Sequence, residues 1–192
     1  DQLLDWHRRG FTQLQVGLNV SPVQFCEEGL NATEWITYLA KRGLPGSAIV
    51  VELTERMLID AYNGTSEKLL AFRHAGIQVA LDDFGEGLST FDYLKQLPVD
   101  LVKIDGSFVR ELAHSELDHA MVRSIHEVAR IAGKRTIAES VESIELILRL
   151  KQIGIDYLQG HAIHNPAPLS RLEAPPLGDP TDGNRAFHGF SD

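Results

Sequence analysis

Asp82 and Asp83 close the apolar run Ile77-Gln78-Val79-Ala80-Leu81 and stand directly before Phe84-Gly85-Glu86-Gly87. Two adjacent carboxylates at that place have two readings. One is a plain strand end followed by an acidic helix cap. The other is a bridge between two cations about 3.5–4 Å apart, the separation that clamps the attacking and leaving oxygens of a phosphoryl displacement. Magnesium or manganese suits such an all-oxygen site. Other runs end in polar groups as well. Glu52 follows Ile49-Val50-Val51 and is trailed by Thr54-Glu55, a spacing shared by a carboxylate ligand and a capping box. Asn19, in Leu18-Asn19-Val20-Ser21-Pro22, is a neutral oxygen donor or a turn residue, and Gln159 closes the last run. Glu139 and Glu142 are site carboxylates or helix-start charges favoured by the dipole. Lys103, inside Leu101-Val102-Lys103-Ile104-Asp105, is a cation in an apolar strand unless it points to a polar barrel mouth. Beside two metal ions its pKa, ordinarily about 10.4, falls and the amine becomes a general base toward water. The alternative is an electrostatic clamp or half of a Lys–Asp ion pair.

These groups need strands to carry them. Strands are expected at Leu14–Asn19, Ala48–Glu52, Ile77–Asp82, Leu101–Ile104, Arg135–Glu139 and Asp156–Gln159. Between them, Trp35, Ile36, Leu39 and Ala40 form one helical stripe, and Leu117, Met121, Ile125, Val128 and Ala132 another. Gly43, Gly76, Gly133 and Gly154 each follow a helical stretch and precede a strand, the place of a left-handed helix stop. Asn31, Ser115 and Ser143 suit N-caps. Alternating strands and helices imply parallel strands joined by right-handed crossovers, hence an α/β fold. Polar residues at nearly every strand end favour a barrel, whose reactive groups converge from many strands, over an open sheet with one glycine-rich switch point.

A complete (β/α)8 barrel takes about 250 residues; this chain of 192 shows six units. Leu3 to Arg9 read as the end of a helix, so the two further units are expected upstream of residue 1. Residues 1–169 then form the barrel domain. From Ser170, prolines and glycines break every periodicity, so 170–192 is expected to be a tail or linker. A formal charge of −9 argues against a DNA or RNA polymer as partner, which needs a basic footprint. No apolar run reaches the length of a membrane span, and a single cysteine, Cys26, suits a reducing, cytoplasmic setting.

In order and at β/α spacing, Asn19-Val20-Ser21-Pro22, Glu52-Leu53-Thr54-Glu55, Asp82-Asp83-Phe84-Gly85, Lys103-Ile104-Asp105, Ala138-Glu139-Ser140-Val141-Glu142 and Gln159-Gly160 resemble the EAL domain of cyclic-di-GMP phosphodiesterases. The resemblance implies a modified TIM barrel that uses two magnesium or manganese ions to open cyclic di-GMP to linear pGpG, with calcium inhibiting. It also implies roles. Asn19, Glu52 and Asp82 would hold the first metal, Asp82 would bridge, and Asp83 would bind the second. Lys103 would position or deprotonate the attacking water, with Glu139 and Gln159 near the metals or their waters. Glu55 resembles a glutamate bracing the loop after Asp83, and the loop containing Gly85 and Gly87 resembles one that links metal occupancy to dimerisation. Asp105 and Glu142 would support the site from behind. A homodimer and upstream sensory or GGDEF-type domains are the partners implied.

The sequence departs from the family at Glu86, Leu88, Ser140 and His161, and no Glu-Ala-Leu segment precedes Asn19. That segment and the rest of the N-terminal part are expected to lie outside the chain. The competing class is a degenerate EAL domain that binds cyclic di-GMP without turning it over, as a receptor or regulatory module. His161 and His164 are expected in surface or packing roles rather than as ligands.

Overall fold

The computed structural model describes residues 1–26, 32–54, 57, 65–85, 91–168 and 185–186. The strands are β1 (Val16–Asn19), β2 (Ile49–Thr54), β3 (Gln78–Phe84), β4 (Leu101–Ile104), β5 (Arg135–Ala138), β6 (Tyr157–Leu158) and β7 (Arg185–Ala186). Helices are α1 (Gln2–Arg8), α2 (Pro22–Cys26), α3 (Ala32–Arg42), α4 (Thr65–His74), α5 (Phe91–Gln96), α6 (Gly106–Glu111), α7 (Glu116–Ile131) and α8 (Ile144–Ile153). The strands form one sheet in sequence order, and every neighbouring pair is parallel. Successive neighbours without reversal of order are the wall of a barrel, so the expected partial (β/α) barrel is what the chain forms. β7 falls in the stretch read as a tail, most of which lies outside the described residues, as do Glu55, Gly87 and the expected cap Asn31.

Alternation along the strands divides the interior in two. Outward-facing Val51, Leu53, Val79, Leu81, Val102, Ile104, Ala138 and Leu158 join the core beneath the helices. Val50, Ala80, Leu101 and Ile137 form a separate inner cluster, with Tyr157 packed against it. That is the inside of the barrel wall.

Local signals terminate the helices as expected. Gly43, Gly76, Gly133 and Gly154 all have positive φ, between 71° and 99°. The hydroxyls of Ser115 and Ser143 accept from Asp118 N and Leu146 N. The helical stripes need correction. On α7 the buried face is Val122, Ile125, His126 and Ala129, while Leu117 and Met121 are exposed. That face includes His126, whose Nδ1 shares a 2.8 Å hydrogen bond with Thr136 Oγ1, and that hydroxyl donates to Asp156 Oδ2 at 3.0 Å. With its polar atom satisfied, a histidine packs where apolar type alone would not place one. On α3 Leu39 is buried and Ala40 exposed.

Candidate metal centre

The inner cluster is the floor of the site. Two residues beyond each of its members the same strand face carries a polar group: Val50 precedes Glu52, Ala80 Asp82, Leu101 Lys103, Ile137 Glu139 and Tyr157 Gln159. A period of two puts both members of each pair on one face. Register places Asn19 opposite Glu52, adding β1 to the ring. Glu139 N donates to Ile104 O at 3.3 Å and Gln159 N to Ala138 O at 2.9 Å, so both continue their ladders just past the ends of β5 and β6. The alternative readings of Glu52 and Asn19 are thereby corrected. Glu52 lies within β2 and is buried, so it is not a capping-box residue, and Asn19 is the last residue of β1 rather than a turn.

Strand alternation alone would send adjacent Asp82 and Asp83 to opposite faces. The structure avoids this with a bulge. Leu81 pairs with Val102 and Phe84 with Ile104, so Asp82 and Asp83 together oppose Lys103. Asp83 takes φ +54, a left-handed conformation that aspartate tolerates better than most residues. Gly85 follows at φ +109, where a Cβ would meet the Phe108 ring at 2.6 Å. The result is that carboxylate oxygens of Asp82, Asp83 and Glu139 all lie within 4.8 Å of one another. The helix-cap reading of this pair is excluded, since β3 runs through both residues to Phe84.

Lys103 is the counter-charge. Its Nζ lies 2.7 Å from Glu52 Oε2, Asp82 Oδ1 and Glu139 Oε1, and it is 3% exposed. Burial works to lower its pKa, but Glu52, Glu139 and Asp82 together outweigh burial and hold it above the ordinary lysine range. In this arrangement Lys103 is an ammonium and an ion-pair partner.

Glu139 is pushed the other way. Burial raises its pKa above the ordinary 4.5, Lys103 opposes the rise, and Asp82 and Asp83 add to it. A carboxyl whose folded pKa exceeds its unfolded value binds its proton more tightly when folded. Its contribution to stability therefore falls as pH rises from about the unfolded pKa through the raised one. In chelator, the stability difference between the native protein and Glu139→Gln is expected to shift against the native protein across that window. Urea unfolding at a series of pH values measures it, and a shift in the opposite sense would contradict the assignment.

The donor set fits divalent cations. Three carboxylates share one ammonium, with a fourth, Asp83, beside two of them; Asp82 Oδ1 touches Lys103 without accepting an aligned hydrogen bond, and buried Gln159 Oε1 has no hydrogen-bond partner among the described residues. Buried oxygens in excess of protein donors are expected where a cation or its waters complete the shell. The outer residues have humbler places. Asp105 caps α6, accepting from Ser107 N at 2.8 Å, and those bonds with Arg110 lower its pKa against the opposing effect of burial. Glu142 and His161 are exposed. Sequence reasoning missed Arg110, which donates to Ser140 Oγ at 3.0 Å. The departure at Ser140 was the signal that pointed there.

The fold and site define a member of a known class: the EAL domain family matches residues 1–166, and the chain belongs to it. The match begins at residue 1. It contradicts the expectation that the family's N-terminal part, the Glu-Ala-Leu segment included, is absent from the chain. Cyclic di-GMP phosphodiesterase PdeB of Shewanella oneidensis is 42% identical over 159 residues, covering 81% of this chain and 18% of that protein. The chain thus spans about a fifth of that relative. Among solved structures, the PaMucR phosphodiesterase in complex with c-di-GMP superposes with TM-score 0.83 at 31% identity, covering 90% of this chain and 69% of the other. Klebsiella pneumoniae BlrP1, as a manganese/cy-diGMP complex, gives 0.74 at 28% identity, covering 83% and 40%. Among the described residues, no helix is long and apolar enough to cross a membrane.

Proposed function

We propose that this chain is the catalytic barrel of a metal-dependent phosphodiesterase that hydrolyses cyclic di-GMP to linear pGpG. The observation carrying the reading is the bulge that brings Asp82 and Asp83 beside Glu139, around a buried ammonium shared with Glu52. Asn19, Glu52, Asp82 and Asp83 would hold two divalent cations, magnesium or manganese. Bound there, such ions supply positive charge for the phosphate oxygens and an acidified water. In the net reaction water adds to one phosphorus, the P–O3′ bond breaks, and a free 3′ hydroxyl remains.

The chain's own residues arrange this chemistry. Lys103 reaches Glu52, Asp82 and Glu139 at 2.7 Å and so links three strands of the ring; beside bound cations it would position or deprotonate the attacking water. Glu139 and Gln159 orient waters from the far side of the ring. The apolar floor beneath keeps the site from draining into the barrel, so its electrostatics act in a low dielectric. A cytoplasmic homodimer with sensory or GGDEF-type domains attached completes the reading.

The test is turnover of cyclic di-GMP by the purified chain in manganese or magnesium, read as pGpG by chromatography. The expected result is hydrolysis that Asp82→Asn reduces to background, with calcium bound but unproductive because it accepts looser geometry. Binding without hydrolysis in either productive metal would overturn the enzyme reading in favour of a receptor.

A further inference from the structure

The turn after Glu139 is held by contacts in which none of the metal-centre carboxylates takes part. Ser140 has φ +52, a conformation that residues with a Cβ adopt at a cost and keep only where their surroundings over-determine it. Two residues of α6 do so. Arg110 donates from Nη1 to Ser140 Oγ at 3.0 Å. Gly106 lies so close that a Cβ there would stand 2.2 Å from Ser140 Oγ, 2.8 Å from Ser140 Cβ and 2.9 Å from Arg110 Nη1. On either side of Ser140 the backbone is in register, Glu139 N bonded to Ile104 O and Val141 N to Gln159 O. The dihedral at Ser140 thus sets the direction in which the chain leaves Glu139, whose Oε1 meets Lys103 Nζ at 2.7 Å.

We propose that Arg110 is a positioning residue: through Ser140, seated on Gly106, it holds the left-handed turn that aims Glu139 into the metal centre. Its kinetic consequence rests on the phosphodiesterase reading above; its geometric consequence does not. Glycine at position 140 would keep positive φ unaided, so Ser140→Gly makes Arg110 dispensable. It also removes the two Ser140 atoms a Cβ at 106 would strike, leaving Arg110 Nη1, the far end of a flexible side chain.

The test is a double-mutant cycle on the 192-residue chain, comparing Arg110→Met in the native and Ser140→Gly backgrounds. Arg110 is exposed, so the variant folds. Crystal structures without metal are expected to show Ser140 leaving positive φ and Glu139 parting from Lys103 in Arg110→Met, but not in the double variant. Manganese affinity by calorimetry should weaken about tenfold, as is usual when a residue orienting a metal ligand is lost. That loss should vanish in the Ser140→Gly background. Gly106→Ala should behave like Arg110→Met, harmful alone and harmless with Ser140→Gly. In turnover, kcat falls while KM stays put. An unmoved Glu139 overturns the proposal. So does a loss of equal size in both backgrounds, or a rise in KM alone, which would make Arg110 a substrate contact. A chain inactive toward cyclic di-GMP that still shows the structural coupling refutes the functional reading and leaves this one standing.

Discussion

Replacing Lys103 with methionine is expected to destabilise the metal-free chain by about 3–5 kcal/mol, the usual cost of removing one partner from a buried ion pair. Methionine keeps an unbranched stem of similar reach, so the loss isolates charge from packing. Glu52, 6% exposed, would be left without its 2.7 Å partner, as would Asp82 and Glu139. For a chain of this size the melting temperature should fall by on the order of 10 °C. Manganese is expected to raise it more in the variant than in the native protein, because a cation at the carboxylates replaces the missing charge and binds only the folded state. Thermal unfolding in chelator and in manganese decides the matter. A change below about 1 kcal/mol in chelator would mean that the ammonium contributes no more than a surface pair. The prediction also separates the two roles read for Lys103. A residue needed only as a proton acceptor would cost turnover when lost and leave the metal-free fold as stable as before.

How much of this was legible in the sequence depended on whether a signal was local. Strand existence was legible because runs such as Leu101-Val102 and Ile49-Val50-Val51 are buried on both faces. The polar ring was legible because its members end an apolar run or, like Lys103, interrupt one. Helix stops followed from single glycines at positive φ. The face of α7 was not legible, since His126 is buried only because Thr136 and Asp156 complete its hydrogen-bonding chain, and those partners lie 10 and 30 residues on. Nor was the protonation of Lys103. Its pKa direction is set by carboxylates from three other strands, and only the register shows that they outweigh burial. The sequence likewise offers Asp82-Asp83 as a pair, but period-two alternation forbids what the pair has to do. Only the pairing of β3 with β4 shows how the conflict is resolved.

That resolution can be tested by removing it. Deleting Asp83 is expected to leave the fold intact and the centre disabled. Without the extra residue, Leu81 still meets Val102, Asp82 meets Lys103, and Phe84 keeps its place beside Ile104, so every buried position of β3 keeps its face. The shortened strand loses a residue at φ +54, a conformation that costs on the order of 1 kcal/mol, and loses a negative charge beside Asp82 and Glu139. In chelator the deletion should therefore melt at or above the native temperature, by roughly 2–4 °C for each kcal/mol released. Manganese affinity should fall at least about tenfold and cyclic di-GMP turnover to background. A protein that unfolds on deletion would show that the bulge is needed for folding rather than inserted for the site. One that keeps its metal affinity would show that Asp83 is not a ligand. The expected pattern, stability kept and function lost, is the signature of a bulge placed to re-aim a side chain. It follows because the bulge lets two consecutive residues of one strand address the same ions.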